Sequence, residues 1–134
     1  MTLVEAIRKA KRVYLCGNGG SAANAMHIAN DLVSVGIRAY ALTADVSTLT
    51  AIANDYGYEE VFARQLSVYA EPGDVLIALS GSGKSPNILK AVEEGKRLGM
   101  DVWPIFGEER GESMQLAEEM QLVIGHDLRK YLKK

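Results

Sequence analysis

The sequence predicts an α/β fold: a three-layer sandwich in which about five parallel strands carry helices on both faces. Three observations lead there. Short, wholly apolar runs alternate with longer segments whose apolar residues recur at helical spacing; glycine-rich turns follow the apolar runs; and no low-complexity stretch or linker interrupts the 134 residues. Strands that are apolar throughout and set between helices need cover on both faces, which is the environment of a parallel sheet.

The elements follow in order. Leu3 to Lys11 puts Leu3, Val4 and Ile7 on one helical face, and Val13-Tyr-Leu-Cys16 is a short strand ending in Gly17. Ser21 to Val35 reads as a helix closed by Gly36, and Ile37 to Leu42 as the next strand. Two helical segments, about Ser47 to Asn54 and Glu59 to Tyr69, are separated by Gly57. The Pro72-Gly73 turn introduces the strand Asp74 to Leu79. Ser85 and Pro86 are an N-cap and first-residue pair for a helix reaching Leu98. Asp101 to Phe106 reads as a strand, Glu112 to Glu118 as a helix and Met120 to Ile124 as a last strand.

Composition bounds the function. The chain is 48% hydrophobic and 24% charged, which fits one ordinary globular domain over residues 1–134. A chain of this length buries roughly 65–70% of its unfolded surface, so it needs no covalent staples. Cys16 is the single cysteine, which rules out an internal disulfide, and with two histidines an all-protein structural zinc site is not expected. A net charge of -2 argues against nucleic acid and anionic membranes as partners. Asp127 to Lys134 carries four basic residues and one acid, and reads as a solubilising end. No apolar run approaches a membrane span, and the first ten residues lack a signal-peptide core, so the cytoplasm is the expected location.

Function is expected in the loops after the strands, because ligands of doubly wound sheets bind outside the carboxyl ends of the strands. Gly17-Asn-Gly-Gly-Ser21 joins a strand to a helix; its glycines let the backbone approach a ligand, and the helix end offers N–H groups to an anion. Gly17, Gly19 and Ala22 satisfy G-x-G-x-x-A, but the acid that a dinucleotide site places after the second strand is missing. Ser80-Gly-Ser-Gly-Lys-Ser85 is the second such loop, with hydroxyls to add to the backbone donors. It imitates a nucleotide P-loop, except that Ala78 stands where that motif begins with glycine. No nucleotide cofactor is expected. An ordinary tight turn is the alternative for each loop alone; together they suggest a small phosphorylated ligand held between two helix N-termini.

Asn24, His27 and Asp31 share one helical face, and His27 and Asp31 form an i, i+4 pair able to bind one metal or move one proton. The plain alternative is the solvated side of an amphipathic helix. Asn54-Asp55, before Gly57, reads on its own as turn chemistry.

In order and spacing, Gly17-Asn-Gly-Gly-Ser21, Ala25-Met-His-Ile-Ala29, Asp45-Val-Ser47, Asn54-Asp-Tyr-Gly57 and Ser80-Gly-Ser-Gly-Lys-Ser85 resemble the sugar isomerase (SIS) domain. Within it they are most similar to the phosphoheptose isomerase group, which interconverts sedoheptulose 7-phosphate and a heptose 7-phosphate. The likeness runs from about Val13 to Ile124. It implies an SIS-type, flavodoxin-like sandwich in a homo-oligomer, a dimer or tetramer, whose site for a phosphorylated sugar is formed with neighbouring subunits. It implies sugar contacts from Asn18, Gly19, Gly20 and Ser21, with Asn54 and Asp55 nearby, and phosphate contacts from Ser80, Gly81, Ser82 and Ser85. His27 matches a metal ligand of the family, zinc in some members, and Asp31 falls where the family has a glutamate that acts as base and ligand.

Three departures accompany the likeness. Aspartate is shorter than glutamate by one carbon–carbon bond, roughly 1.5 Å. The family's C-terminal helix, with a glutamine ligand and a catalytic histidine, would start beyond Ile124, and the eight residues after His126 are too few for it. His126 itself is expected near the end of the last strand and not as that histidine. The family's N-terminal helical region is reduced to about ten residues, leaving a short form. The resemblance therefore implies an isomerase with Asp31 as base and His27 as metal or proton partner. The alternative is a non-catalytic phosphosugar-sensing or partner-binding module, which the missing helix favours.

Overall fold

Local chemistry starts each element of the computed structural model, which describes residues 2–107 and 124–132. Helix α1 (Leu3–Lys9) opens on a capping box in which Thr2 accepts from Glu5 N and the Glu5 carboxylate accepts from Thr2 N. Strand β1 (Val13–Cys16) leads into α2 (Gly20–Ser34), followed by β2 (Ala39–Ala41) and α3 (Val46–Tyr56). A 3-10 turn (Tyr58–Glu60) and α4 (Ala63–Tyr69) precede β3 (Val75–Ser80), α5 (Pro86–Arg97) and β4 (Asp101–Phe106). A last helix, α6, covers residues 124–132.

The four described strands are all parallel, in the order β2-β1-β3-β4. Alternate residues of each strand point to opposite faces, and two separate cores result. Val13 and Leu15 of β1 with Val75, Ile77 and Leu79 of β3 pack under Ile7, Ile28, Leu32, Leu128 and Leu132, from α1, α2 and α6. Tyr14, Cys16, Leu76 and Ala78 pack under Phe62, the residue before α4, Leu66 of α4, and Ile88 and Ala91 of α5. Each fully buried Leu, Ile or Phe contributes about 1.5–3 kcal/mol of transfer free energy. The three-layer α/β sandwich is thus the observed architecture.

The differences from expectation have local causes. β2 keeps only three residues of the run from Ile37, whose N–H turns back to Leu32 O and closes α2 instead. The expected helix from Glu59 breaks at Val61 and Phe62 into the 3-10 turn and α4. The helix expected over Glu112 to Glu118 lies outside the described residues, as does most of the strand over Met120 to Ile124. Ile124, the last residue of that strand, begins α6 instead. The basic C-terminal segment is correspondingly not just a solubilising end: Ile124, Leu128 and Leu132 fall four apart and dock into the α1–α2 core. Among the described residues no helix is long and apolar enough to cross a membrane.

Connection order defines where a ligand would sit. From β1 the chain moves to β2 on one side, then crosses to β3 on the other, so the loops after β1 and β3 diverge at a topological switch point.

Candidate active site

Both glycine-rich loops meet at that switch point. Asn18, Gly19, Gly20 and Ser21 from the first, with Ser80, Gly81, Ser82 and Ser85 from the second, line one cavity of about 250 Å³. Gly17 makes the first turn possible, because a Cβ there would lie 2.5 Å from the Ser21 carbonyl oxygen. Gly19 has φ +55° and serves as N-cap of α2, a backbone state that side chains disfavour.

The second loop braces itself through its serines. Ser80 Oγ accepts from Gly83 N at 3.0 Å, and Ser82 Oγ accepts from Lys84 N at 3.1 Å. A hydroxyl that accepts from the backbone still has its own proton to donate, so both remain donors for an anion. Ser85 and Pro86 start α5 as cap and first helical residue, but the Ser85 side chain makes no capping bond.

Two residues that sequence reasoning missed tie the loops together. Asn18 and Asn87 pair amide to amide, each Nδ2 donating to the other's Oδ1 at 2.8 Å. Tyr58 OH also donates to Asn18 Oδ1, at 2.9 Å. Asn87 is buried, directly after Pro86, and a polar residue at that point of a ligand-facing helix was the available signal. Asn54 and Asp55 stand apart: exposed on the end of α3, joined by an Asn54 Nδ2 to Asp55 Oδ1 bond of 3.1 Å, and not lining the cavity.

Farther along α2 the polar stripe is only partly solvated: His27 is exposed, but its neighbours on that face are not. Asn24 and Asp31 are buried, whereas Met26 and Val33 are exposed. His27 Nε2 lies 3.5 Å from Asp31 Oδ2. It also lies 3.1 Å from His126 Nε2 on α6, so one ring must present a proton and the other a lone pair. His126, expected near a strand end, lies instead in α6, which carries it against His27. Arg129, one turn on, approaches Asp31 Oδ1 at 3.5 Å. His27, Asp31 and His126 offer donor atoms within 4.8 Å of one another, a group that could hold a metal ion. Asp31 Oδ2 is buried without a hydrogen-bond partner, a donor atom that a bound cation would satisfy. Cys16, buried under α4 and α5, plays no part; burial pushes its thiol up to about 12.

A cavity lined by two glycine- and serine-rich loops at the switch point of a parallel sheet, with a histidine–carboxylate cluster farther along the helix that borders it, is the arrangement of an α/β ligand-binding domain. The chain belongs to the SIS-domain family, which matches residues 1–107. Within that family it is similar over most of its length to phosphoheptose isomerases. It is 43% identical to the phosphoheptose isomerase of Nitratiruptor sp., covering 93% of this chain and 78% of that one. The solved phosphoheptose isomerase from Neisseria gonorrhoeae superposes with a TM-score of 0.86 at 31% identity, covering 97% and 80% of the two chains. The enzyme from Francisella tularensis superposes with a TM-score of 0.88 at 30% identity, covering 96% and 81%.

Proposed function

We propose that this chain is a phosphoheptose-type isomerase that moves a proton between adjacent carbons of a phosphorylated sugar, sedoheptulose 7-phosphate being the substrate. The observation that carries the reading is the shared cavity of the two loops, at the head of the helix that bears His27 and Asp31. The serine hydroxyls of Ser80, Ser82 and Ser85 and the N-termini of α2 and α5 take the phosphate. Asn18, Gly19, Gly20 and Ser21 take the sugar; Asn54 and Asp55, exposed and off the cavity, reach it only with a neighbouring subunit.

Isomerisation needs a base at the carbon and a second group at the oxygens. Asp31 Oδ2 takes the proton from the hydroxyl-bearing carbon beside the carbonyl. That C–H pair becomes the double bond of an enediol while the carbonyl oxygen gains a proton. Asp31 then returns its proton to the former carbonyl carbon as the other oxygen loses one, so atoms and charge balance. Without an ion, His27 and His126 exchange the oxygen protons through the same Nε2 atoms that would otherwise hold a metal. His126 thus supplies the second group whose expected absence favoured a non-catalytic module.

His27, Asp31 and His126 would also hold a divalent ion, and two imidazoles with a carboxylate suit zinc. His27 Nε2 lies 3.1 Å from His126 Nε2 and 3.5 Å from Asp31 Oδ2, and the three donor atoms fall within 4.8 Å of one another, so these residues would converge on one ion. When bound, such an ion supplies Lewis-acid polarisation of the substrate oxygens.

The chain works as one domain in the cytoplasm and assembles with further copies of itself. Supporting assembly, α3 buries no residue, and Val46, Tyr56 and Tyr58 stay exposed. Native mass measures the oligomer. The decisive experiment is turnover of sedoheptulose 7-phosphate, with zinc and with chelator. Asp31→Asn is expected to lose on the order of a hundredfold or more in kcat. Ser82→Ala is expected to lose ligand protection against thermal unfolding. Saturable binding by the wild type without turnover would overturn the isomerase assignment.

A further inference from the structure

Helix α6 presents two groups to α2, three residues apart, and each meets a partner. His126 faces His27, and Arg129 faces Asp31. The two carboxylate oxygens of Asp31 have different neighbours. Oδ1 lies 3.5 Å from Arg129 Nη1, while Oδ2 lies 3.5 Å from His27 Nε2 and has no hydrogen-bond partner. The Asp31 side chain is 4% exposed, against 53% for Arg129, so the guanidinium reaches in from the solvent side.

We propose that Arg129 is a positioning residue for Asp31: it holds Oδ1 and so turns Oδ2 into the space between His27 and His126. The proposal rests on Asp31 being the base and ligand of the preceding section. A carboxylate buried this deeply needs a compensating cation, and a guanidinium keeps its charge at every working pH. Aspartate has few torsions, so fixing one oxygen largely fixes the other. Partners that orient a ligand from behind typically govern affinity and rate without touching the reacting atoms. The phosphate loops lie on other elements, at the heads of α2 and α5, so substrate capture does not depend on Arg129.

The test uses the full chain with Arg129→Gln and Arg129→Lys. It reads zinc affinity by chelator competition, the visible absorption of the cobalt-loaded protein, and kcat and KM. Arg129→Gln is expected to lower zinc affinity and kcat by about ten- to a hundredfold, to shift the cobalt band and to leave KM nearly unchanged. Arg129→Lys is expected to recover part of each loss, because charge returns without the fork. In an Asp31→Asn background, Arg129→Gln is expected to add nothing, since the effect passes through Asp31. Wild-type zinc affinity and cobalt spectrum in Arg129→Gln, with only a lower melting temperature, would make Arg129 a packing residue and overturn the proposal. Equal losses with and without Asp31 would also overturn it. If Asp31→Asn keeps full turnover while Arg129→Gln weakens zinc only when Asp31 is present, the assignment of Asp31 as base fails and the positioning role stands.

Discussion

Replacing Gly125 by alanine tests the seam between α2 and α6 on which the histidine pair depends. A Cβ at position 125 would lie 2.5 Å from Ile28 Cγ1 and 3.2 Å from its Cδ1. Favourable carbon–carbon contact begins near about 3.5 Å, so one helix must yield by about 1 Å. Ile28 cannot easily turn away, because a β-branched side chain in a helix has one strongly preferred rotamer. Overpacking costs about 1–3 kcal/mol, and alanine regains about 0.8–1 kcal/mol of helix propensity, leaving a net loss of about 0–2 kcal/mol. At roughly 3–5 °C per kcal/mol for a chain of this size the melting temperature falls modestly. Activity should respond far more, since a misplacement of about 1 Å can cost on the order of a hundredfold in rate. Turnover, zinc affinity and thermal unfolding are measured together. The relief variant Gly125→Ala/Ile28→Ala should regain turnover while remaining less stable, through the cavity left at position 28. Full turnover and unchanged zinc affinity in Gly125→Ala would refute the described packing of α6 on α2.

Two further outcomes follow from titrating groups. Asp45 caps α3, and the bond from Thr48 N, joined by one from the Thr48 hydroxyl, holds its carboxyl below the usual carboxylate range. A folded-state pKa that is depressed gives stability present above the ordinary carboxylate range and lost as pH falls through the depressed value. Protection of the first-turn amides of α3, taken relative to the intrinsic exchange rate at each pH, should therefore fall on acidification, and Asp45→Asn, which keeps an acceptor, should flatten that dependence. Cys16, with its thiol raised to about 12, should resist thiol reagents at pH 8 until denaturant exposes it. Rapid labelling of the native protein would contradict its burial.

Contiguous chemistry was legible and distant pairing was not. The loops after β1 and β3 announce themselves because turn, helix start and donor groups all lie within a few neighbouring residues. The apolar strands were equally plain, since both faces of the sheet are covered. His126 was missed because its partner His27 is 99 positions away and no local pattern joins them. The helix that carries it was hidden by the lysines and arginine around Leu128 and Leu132. The spacing of Ile124, Leu128 and Leu132 was the signal that could have exposed an apolar stripe. Helical geometry also put Asn24, His27 and Asp31 on one face, but periodicity alone does not say which face is covered. Here α6 lies against the polar one, leaving His27 half exposed.

The amide pair between Asn18 and Asn87 bears on how a ligand arrives. Each amide is held by the other in both directions, with Tyr58 as a third tether, so the two walls of the anion cavity are stapled before anything binds. Binding then pays little ordering entropy, because the receptor half of the fit is already made. Association should run at the pace of diffusion and orientation, and differences in affinity between sugar phosphates should be written in how fast they leave.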